Sequence, residues 1–196
     1  MDTEFVALLQ AIKSCRLCGE YLPLGANPVL IARPTARLLI VGQAPGRRVH
    51  ATGLPFNDPS GDRLRNWLGI DRETFYHSPH IAIVPMGFCY PGTGKGGDLP
   101  PRPECAAAWR RQLLERMPEV GLTLLFGQYA QAWHLGGRRK KSLTETVRAW
   151  REYWPQYLPL PHPSPRNIRW FKQNPWVEEE IVPLLRERVS KVLAEE

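Results

Sequence analysis

The chain has 196 residues and a formal net charge of +7, and it is long enough to form one domain with a substantial core. The positive charge indicates an anionic partner, and nucleic acid is the commonest such partner for a basic domain. The sequence has no run of about 18 apolar residues and is acidic near its start, which excludes a membrane span and a signal peptide. We therefore expect a single domain over residues 1–196 in a soluble, cytoplasmic and monomeric protein.

Four cysteines divide into one close pair and two distant residues. Cys15 and Cys18 form a C-x2-C unit, and Cys89 and Cys105 follow far downstream beside proline-rich loops. Without a secretory signal, the cysteines do not predict a disulfide scaffold, which leaves free thiols, a redox pair or a metal site. A thioredoxin-like redox pair would follow a strand, whereas this pair follows a short helical segment. The spacing therefore favours metal ligation over separate structural thiols.

The first half of the chain alternates helical and extended patterns. Residues 4–14 carry apolar side chains at helical spacing, and residues 38–41 form an apolar run typical of a strand buried on both faces. Asp58 opens a helical stretch that ends at Gly69. A second buried strand is predicted over residues 81–84.

The second half begins with an irregular segment. Residues 87–103 contain many glycines and prolines, and their core at 92–97 is interpreted as a mobile lid or a loop that contacts nucleic acid. A basic run at residues 138–141 is either solvated surface or a contact for phosphates. The other predicted elements are helices over residues 106–117, 128–135, 144–153 and 175–194 and strands over residues 122–126 and 157–160.

This alternation of strands and helices determines the expected fold class. Helices between successive strands imply right-handed crossovers and a parallel sheet. We therefore predict an α/β fold, namely a three-layer α/β/α sandwich with a central, mainly parallel four-stranded sheet.

Two loops follow the first and last predicted strands. Residues 42–46 read Gly-Gln-Ala-Pro-Gly, and residues 161–167 contain three prolines. The carboxyl ends of parallel strands share one edge of a sheet, where open α/β folds bind ligands. The prolines fix the backbone and so hold His162, Ser164 and Arg166 in set directions. We expect the two loops to face each other across an active site.

These loops carry a family resemblance. Residues 42–46, followed by Thr52-Gly53-Leu54-Pro55-Phe56 and later by His162-Pro163-Ser164, resemble the uracil-DNA glycosylase superfamily over about residues 15 to 175. The first part is most similar to the family 4, iron-sulfur branch, in which a Gly-Glu-Ala-Pro-Gly loop precedes a Gly-x-Pro-Phe. Residues 162–167 are more similar to the single-strand-selective monofunctional branch.

The resemblance implies a monofunctional DNA glycosylase. Such an enzyme would hydrolyse the N-glycosidic bond of a deaminated base in DNA, most readily uracil, for base excision repair. Two alternatives within the same fold are a glycosylase for hypoxanthine or xanthine and a nucleic-acid-binding protein that has lost catalysis. A metal-dependent hydrolase of small nucleotides is a third alternative, although the sequence has no cluster of His and Asp ligands for it.

The resemblance also bears on the cysteines. Family 4 members hold a [4Fe-4S] cluster with a C-x2-C pair and two later cysteines, and this chain reproduces that order. One departure is that Cys105 directly follows Pro103-Glu104. In family members, about one helical turn separates the corresponding Pro-x-Pro-Glu segment from the last cysteine. Zinc or no metal are the alternatives, and any metal would be structural. The implied ligands are Cys15, Cys18, Cys89 and Cys105.

The resemblance assigns catalytic roles around the first loop. His162 matches the family histidine that stabilises charge on the leaving base, and Phe56 is the expected stacking platform for a flipped base. The motif glutamate is replaced by Gln43, which we expect to orient water or base. His50 lies where family members often carry an acidic residue, so we expect it to assist as a base or charge stabiliser.

Base recognition departs from the family pattern. Family 4 members read the pyrimidine edge with an asparagine whose position is occupied here by Pro85. Backbone groups around Met86 would then read the base, or Asn57 substitutes, or the substrate is not uracil. Gly42 and Ala44, which flank the motif glutamine, are assigned to base binding as well.

Contacts with DNA are expected on both loops. Arg47 and Arg48 would meet phosphates, and such contacts give affinity without sequence preference. Ser164, Arg166 and Asn167 would enter or brace the gap left by the flipped nucleotide.

Overall fold

The computed structural model describes residues 3–194 and shows a parallel sheet between two helical layers. The strands are β1 (Leu38–Val41), β2 (Ile81–Ile83), β3 (Thr93–Gly94), β4 (Gly97–Asp98), β5 (Leu122–Phe126) and β6 (Tyr157–Leu160). The α-helices are α1 (Thr3–Lys13), α2 (Arg47–Thr52), α3 (Pro59–Leu68), α4 (Arg72–His77), α5 (Pro103–Cys105), α6 (Arg111–Glu115), α7 (Gly127–Leu135), α8 (Leu143–Arg148), α9 (Ile168–Gln173) and α10 (Val182–Ala194). Single π-helical segments, Ala106–Arg110 and Val177–Ile181, precede α6 and α10.

The main sheet has the strand order β2-β1-β5-β6, and its neighbouring strands are all parallel. A separate hairpin pairs β3 with β4 in antiparallel fashion. All four carboxyl ends of the main sheet therefore lie along one edge. This arrangement confirms the predicted α/β fold with a central four-stranded sheet.

The side chains of β1 show why the sheet is covered on both faces. Every residue of β1 is buried, and successive residues point to opposite faces. Leu38 and Ile40 pack in one core cluster with residues of α3 and α10, whereas Leu39 and Val41 pack in a second cluster with residues of α1, α6 and α7. The two clusters are the two interfaces of a three-layer sandwich.

Several short helices lie where the sequence predicts loops or longer helices. α2, α4 and α9 are each six residues long and bury one or two side chains, too few for a helical apolar pattern. The predicted helix over 144–153 is wrong in its second half, because α8 ends at Arg148 and a 3-10 turn follows. The start of α3 was predictable because aspartate is a favourable N-cap residue. The Asp58 side chain accepts a hydrogen bond from the Gly61 N–H there.

The basic run at residues 138–141 lies away from the ligand edge. The Arg138 guanidinium is 5.5 Å from the ring centre of Tyr157, the first residue of β6, and Lys140 pairs with Glu152. Tyr157 is at the amino end of β6, and the amino ends of the parallel strands lie at the opposite edge of the sheet from the cavity. Of the two interpretations, the structure therefore favours a solvated surface with structural contacts. Within residues 3–194, no helix combines the length and apolarity needed to cross a membrane.

Candidate active site

A cavity of about 470 Å³ opens at the carboxyl edge of the sheet. It lies between the loop after β1 and the proline-rich turn after β6, as the sequence predicts. Part of its wall comes from segments on either side, including Val29 and the β3–β4 hairpin. The predicted site residues that line it are Gly42, Gln43, Ala44, Phe56, His162, Ser164, Arg166 and Asn167.

The loop after β1 is held by an extension of the β1–β2 ladder. The Met86 N–H donates to the Gly42 carbonyl at 2.9 Å, and the Gly87 N–H donates to the Gln43 carbonyl at 3.0 Å. The Gln43 side chain donates from Nε2 to the Leu99 carbonyl at 2.9 Å. These bonds occupy the N–H donors of Met86 and Gly87, so these donors are not free to read a base. Among residues 3–194, Oε1 of Gln43 has no hydrogen-bond partner.

Phe56 enters the cavity from a strained backbone. Its φ is +55°, a left-handed value that is uncommon for a non-glycine residue. The Tyr76 hydroxyl donates to the Pro55 carbonyl at 2.8 Å, and Arg65 donates to the Phe56 carbonyl at 3.3 Å. A Cβ atom at Gly61 would overlap that same carbonyl oxygen. Thus α3 and α4 together impose a backbone conformation that the residue alone would avoid.

His162 stacks beside Phe56 in the cavity wall. The two rings are nearly parallel, with centroids 5.8 Å apart and an interplanar angle of 13°. The Asn167 side chain donates to the His162 carbonyl at 2.8 Å, which fastens the turn that carries the ring. Burial lowers the pKa of His162, and the charges of Asp58 and Asp98 oppose that shift. The imidazole is therefore neutral at pH 7 and able to donate one hydrogen bond.

Two carboxylates in the cavity wall were missed at the sequence level. Asp58 caps α3, and Asp98 lies at the end of the β3–β4 hairpin. Asp98 follows the glycine-rich core that the sequence marks as a lid or nucleic-acid contact, and this was the available signal. Neither aspartate forms a hydrogen bond with His162 in the described part of the chain, and both act on it through charge alone.

Other predicted residues lie outside the cavity wall. The His50 ring packs 6.1 Å from that of Tyr90, and its Nδ1 atom is buried without a hydrogen-bond partner among residues 3–194. Asn57 accepts a hydrogen bond from Arg72 at 2.9 Å, and the Met86 side chain is buried in the core. These three residues are not brought to the cavity surface. Arg47 and Arg48 are exposed in the first turn of α2, directly after Gly46 of the cavity wall.

A buried arginine supports the floor of the cavity. Arg110 has no exposed surface and donates from Nη1 to the carbonyls of Val84 and Pro85 at 3.2 and 3.0 Å. Its Nη2 lies 2.9 Å from Nε2 of His134, whose pKa is lowered to about 3 by burial and by the arginine charge. The histidine is therefore neutral and accepts the bond. Pro85 lines the cavity, so Arg110 fixes the backbone of this part of its wall.

The four cysteines line one small pocket that residues 87–89 also border. Trp109 donates from Nε1 to Sγ of Cys15 at 3.4 Å, and the Phe88 N–H donates to Sγ of Cys105 at 3.3 Å. Burial is the main cause that raises the pKa of Cys105 to about 12, and it also raises the pKa of Cys18 and Cys89. Among residues 3–194, no group of three His, Cys, Asp or Glu side chains is arranged to hold a metal ion.

Comparison with protein-family models agrees with the geometry. Residues 30–186 match the model of the uracil DNA glycosylase superfamily. The matched segment includes both loops of the cavity and the whole main sheet. Cys15 and Cys18 precede it. The chain therefore belongs to the uracil DNA glycosylase superfamily.

Proposed function

We propose that this protein is a monofunctional DNA glycosylase that hydrolyses the N-glycosidic bond of a deaminated base, most readily uracil, during base excision repair. The observation that carries the proposal is the pairing of Phe56 with a neutral His162 in the wall of a cavity of about 470 Å³. A flipped base needs an aromatic face and polar contacts to its edge, and this cavity offers both. Superfamily membership supports the reaction class.

The chemistry of glycoside cleavage assigns a role to His162. As the C1'–N bond breaks, negative charge develops on the base and positive charge on the sugar. A neutral imidazole held by the Asn167 contact can donate a hydrogen bond to a base oxygen and so stabilise that negative charge. We propose that Phe56 supplies the stacking face and that Gln43, which lines the cavity, contacts the base or water through its amide oxygen.

The absence of lysine from the described cavity wall supports a monofunctional reaction. No lysine is among the residues that line the cavity within the described part of the chain. A bifunctional enzyme would need an amine there to form a Schiff base with the sugar. We therefore propose that water, rather than an enzyme amine, attacks C1'.

The proposed base specificity follows from the small number of hydrogen-bond donors available near Pro85. Pro85 has no side-chain donor, and the following amides are already bonded within the loop. Gln43 and His162 are then left to contact the base edge, which fits uracil and also leaves hypoxanthine and xanthine as candidate substrates. We therefore propose that base recognition is where this chain departs from the family 4 pattern.

DNA is the proposed partner, bound at the mouth of the cavity. Arg47 and Arg48 are exposed beside one wall, and Arg166 is exposed at the other. We propose that they contact phosphates, while Ser164 and Asn167 brace the gap left by the flipped nucleotide.

The proposed closeness to family 4 is based on residues 42–56. The proposed similarity to the single-strand-selective branch is based on residues 162–167.

The proposed reaction is tested by measuring base release from synthetic oligonucleotides. Wild-type protein is expected to release free uracil from single- or double-stranded DNA and to leave an abasic site with both phosphates intact. Oligonucleotides with hypoxanthine or xanthine would rank the substrates. DNA binding without release of any of the three bases would overturn the enzyme proposal and favour the nucleic-acid-binding alternative.

We also propose that the four cysteines hold a structural [4Fe-4S] cluster. Four thiols line one pocket, and two N–H donors point at their sulfur atoms, as is common around such clusters. Buried thiols with raised pKa values are protonated unless a cation compensates the thiolate charge. The order of the four cysteines resembles that of family 4, and this resemblance favours an iron-sulfur cluster over zinc. The cluster would supply structural cross-links between the N-terminal segment and the 89–105 region.

The cluster proposal predicts a coloured protein. Anaerobically purified wild type is expected to be brown, with visible thiolate-to-iron absorbance and about four irons per chain. Cys89→Ser is expected to lose most of this absorbance and to unfold at lower temperature, whereas Ser14→Ala, next to the first cysteine, is expected to keep both. A colourless wild type with one bound zinc would contradict the assignment.

A further inference from the structure

We propose that Asp98 of the β3–β4 hairpin is the carboxylate that holds and deprotonates the attacking water. The inference rests on the proposed glycosylase function and identifies the group that replaces the missing motif carboxylate at Gln43. It is motivated by an acidic side chain in the cavity wall that comes from a hairpin rather than from the loop after β1.

Asp98 is exposed at the end of the hairpin, where one of its carboxylate oxygens accepts a hydrogen bond. The Thr93 hydroxyl donates to Oδ1 of Asp98 at 3.2 Å, and Thr93 is in turn 2.6 Å from the Tyr90 hydroxyl. The other carboxylate oxygen, Oδ2, lies 3.6 Å from where a Cβ of Gly46 would be. It has no hydrogen-bond partner or ion pair within residues 3–194. One oxygen is therefore fixed by the hairpin, and the other is free beside the loop after β1.

Gln43 explains how the hairpin stays against that loop. Its side chain donates to the carbonyl of Leu99, the residue after Asp98. The motif position that carries a glutamate in family 4 thus holds the backbone next to a carboxylate here. Gly97 lies against the Arg166 guanidinium, so the hairpin also contacts the turn that carries His162. The hairpin bridges the two walls of the cavity.

The other groups near the cavity are less suited to deprotonate water. Asp58 uses Oδ1 to accept from the Gly61 N–H and caps α3. The His50 ring lies outside the cavity wall against Tyr90. His162 is neutral and is assigned to the leaving base. Among residues 3–194, each of the two aspartates in this wall has one oxygen without a hydrogen-bond partner, but Asp98 has no helix to cap.

The step balances as a hydrolysis. The C1'–N bond breaks and its electron pair leaves with the base, which His162 stabilises as an anion. The water oxygen forms the new bond to C1', and its proton passes to Oδ2 of Asp98. The proton then returns through solvent to the base nitrogen, so Asp98 is regenerated and no oxidant or cofactor is consumed.

The test measures single-turnover base release by the full-length protein on uracil-containing DNA. Asp98→Ala and Asp98→Asn are expected to slow release by about 10²–10³-fold, in the range of general-base catalysis. Asp98→Glu keeps a carboxylate and is expected to be faster than both. Glu187→Gln, which removes one exposed negative charge from α10, is the matched control and is expected to stay near the wild-type rate.

Chemical rescue separates the carboxylate from the structure of the hairpin. Sodium formate is expected to restore part of the rate to Asp98→Ala, whereas sodium chloride at the same ionic strength lowers DNA affinity and restores nothing. A rate for Asp98→Ala within about threefold of wild type would overturn the assignment, as would a slow variant that neither formate nor glutamate improves. A wild type that releases no base would instead overturn the proposed function and this assignment with it.

Discussion

His162→Ala is expected to slow base release by about 10²–10³-fold while the protein folds normally. This is the usual effect of removing one preorganised donor to a developing oxyanion. The side chain stacks on Phe56 and forms no hydrogen bond with another side chain in the described residues, so its removal takes little from the core. Single-turnover base release with saturating enzyme measures the loss.

The matched control for this variant is His77→Ala. His77 is exposed on α4, contacts Glu73 and is not among the residues that line the cavity. The control is expected to keep the wild-type rate, and circular dichroism should show the same fold for both variants. A His162→Ala rate within about threefold of wild type would remove the histidine from the mechanism.

The same histidine predicts the acid limb of the pH profile. Burial lowers the pKa of His162 below the ordinary value for histidine, so the ring stays neutral as pH falls through about 6.5. The contribution of the neutral donor is therefore expected to persist below that pH and to decline only when the lowered pKa is reached. A loss of the His162 contribution centred near the ordinary histidine pKa would contradict this assignment.

Gly61→Ala is expected to destabilise the protein and to disturb the cavity together. A Cβ at this position would overlap the Phe56 carbonyl oxygen, so either α3 or the Phe56 backbone must move. Overpacking of this kind costs about 3 kcal/mol, which corresponds to a fall in melting temperature of roughly 6–12 °C for a chain of this size. Because Phe56 carries the stacking face, we also expect base release to fall by about tenfold or more.

The control for Gly61→Ala is a glycine with open space around it. Gly137 has no atom within 4 Å of its Cβ position and lies in the 3-10 turn after α7, away from the cavity. Gly137→Ala is expected to leave both melting temperature and base release unchanged. If Gly61→Ala behaves in the same way, the close approach of the Phe56 carbonyl does not matter for the fold or for the site.

The sheet and its ligand edge were predictable because the signals are local and strong. β1 is a continuous apolar run followed by Gly42, and β5 is apolar except for Thr123 and lies between two glycines. Such runs are typical of strands buried on both faces. Parallel pairing then follows from the helices between them, and it places the loops after β1 and β6 on one edge. The walls that carry Gln43 and His162 were therefore identified from sequence patterns and family resemblance together.

Long-range contacts decided which side chains line the cavity. The Asn57 side chain accepts a hydrogen bond from Arg72, and the Met86 side chain is buried in the core. Neither side chain lines the cavity, although residues next to them in the sequence do. Conversely, Asp98 reaches the cavity because the Gln43 side chain bonds the backbone at Leu99, 56 residues away. No pattern of spacing encodes such a bond.

The sequence by itself determined the α/β class, the four main strands and the two loops that face the cavity, because hydrophobic periodicity and turn residues act within a few positions. Tertiary structure alone decided which polar side chains enter the cavity and which strained conformation Phe56 adopts. Those outcomes depend on the carbonyl held over Gly61, on the hairpin held by Gln43 and on the arginine buried beneath Pro85. Each is a contact between segments whose proximity exists only after the sheet has formed.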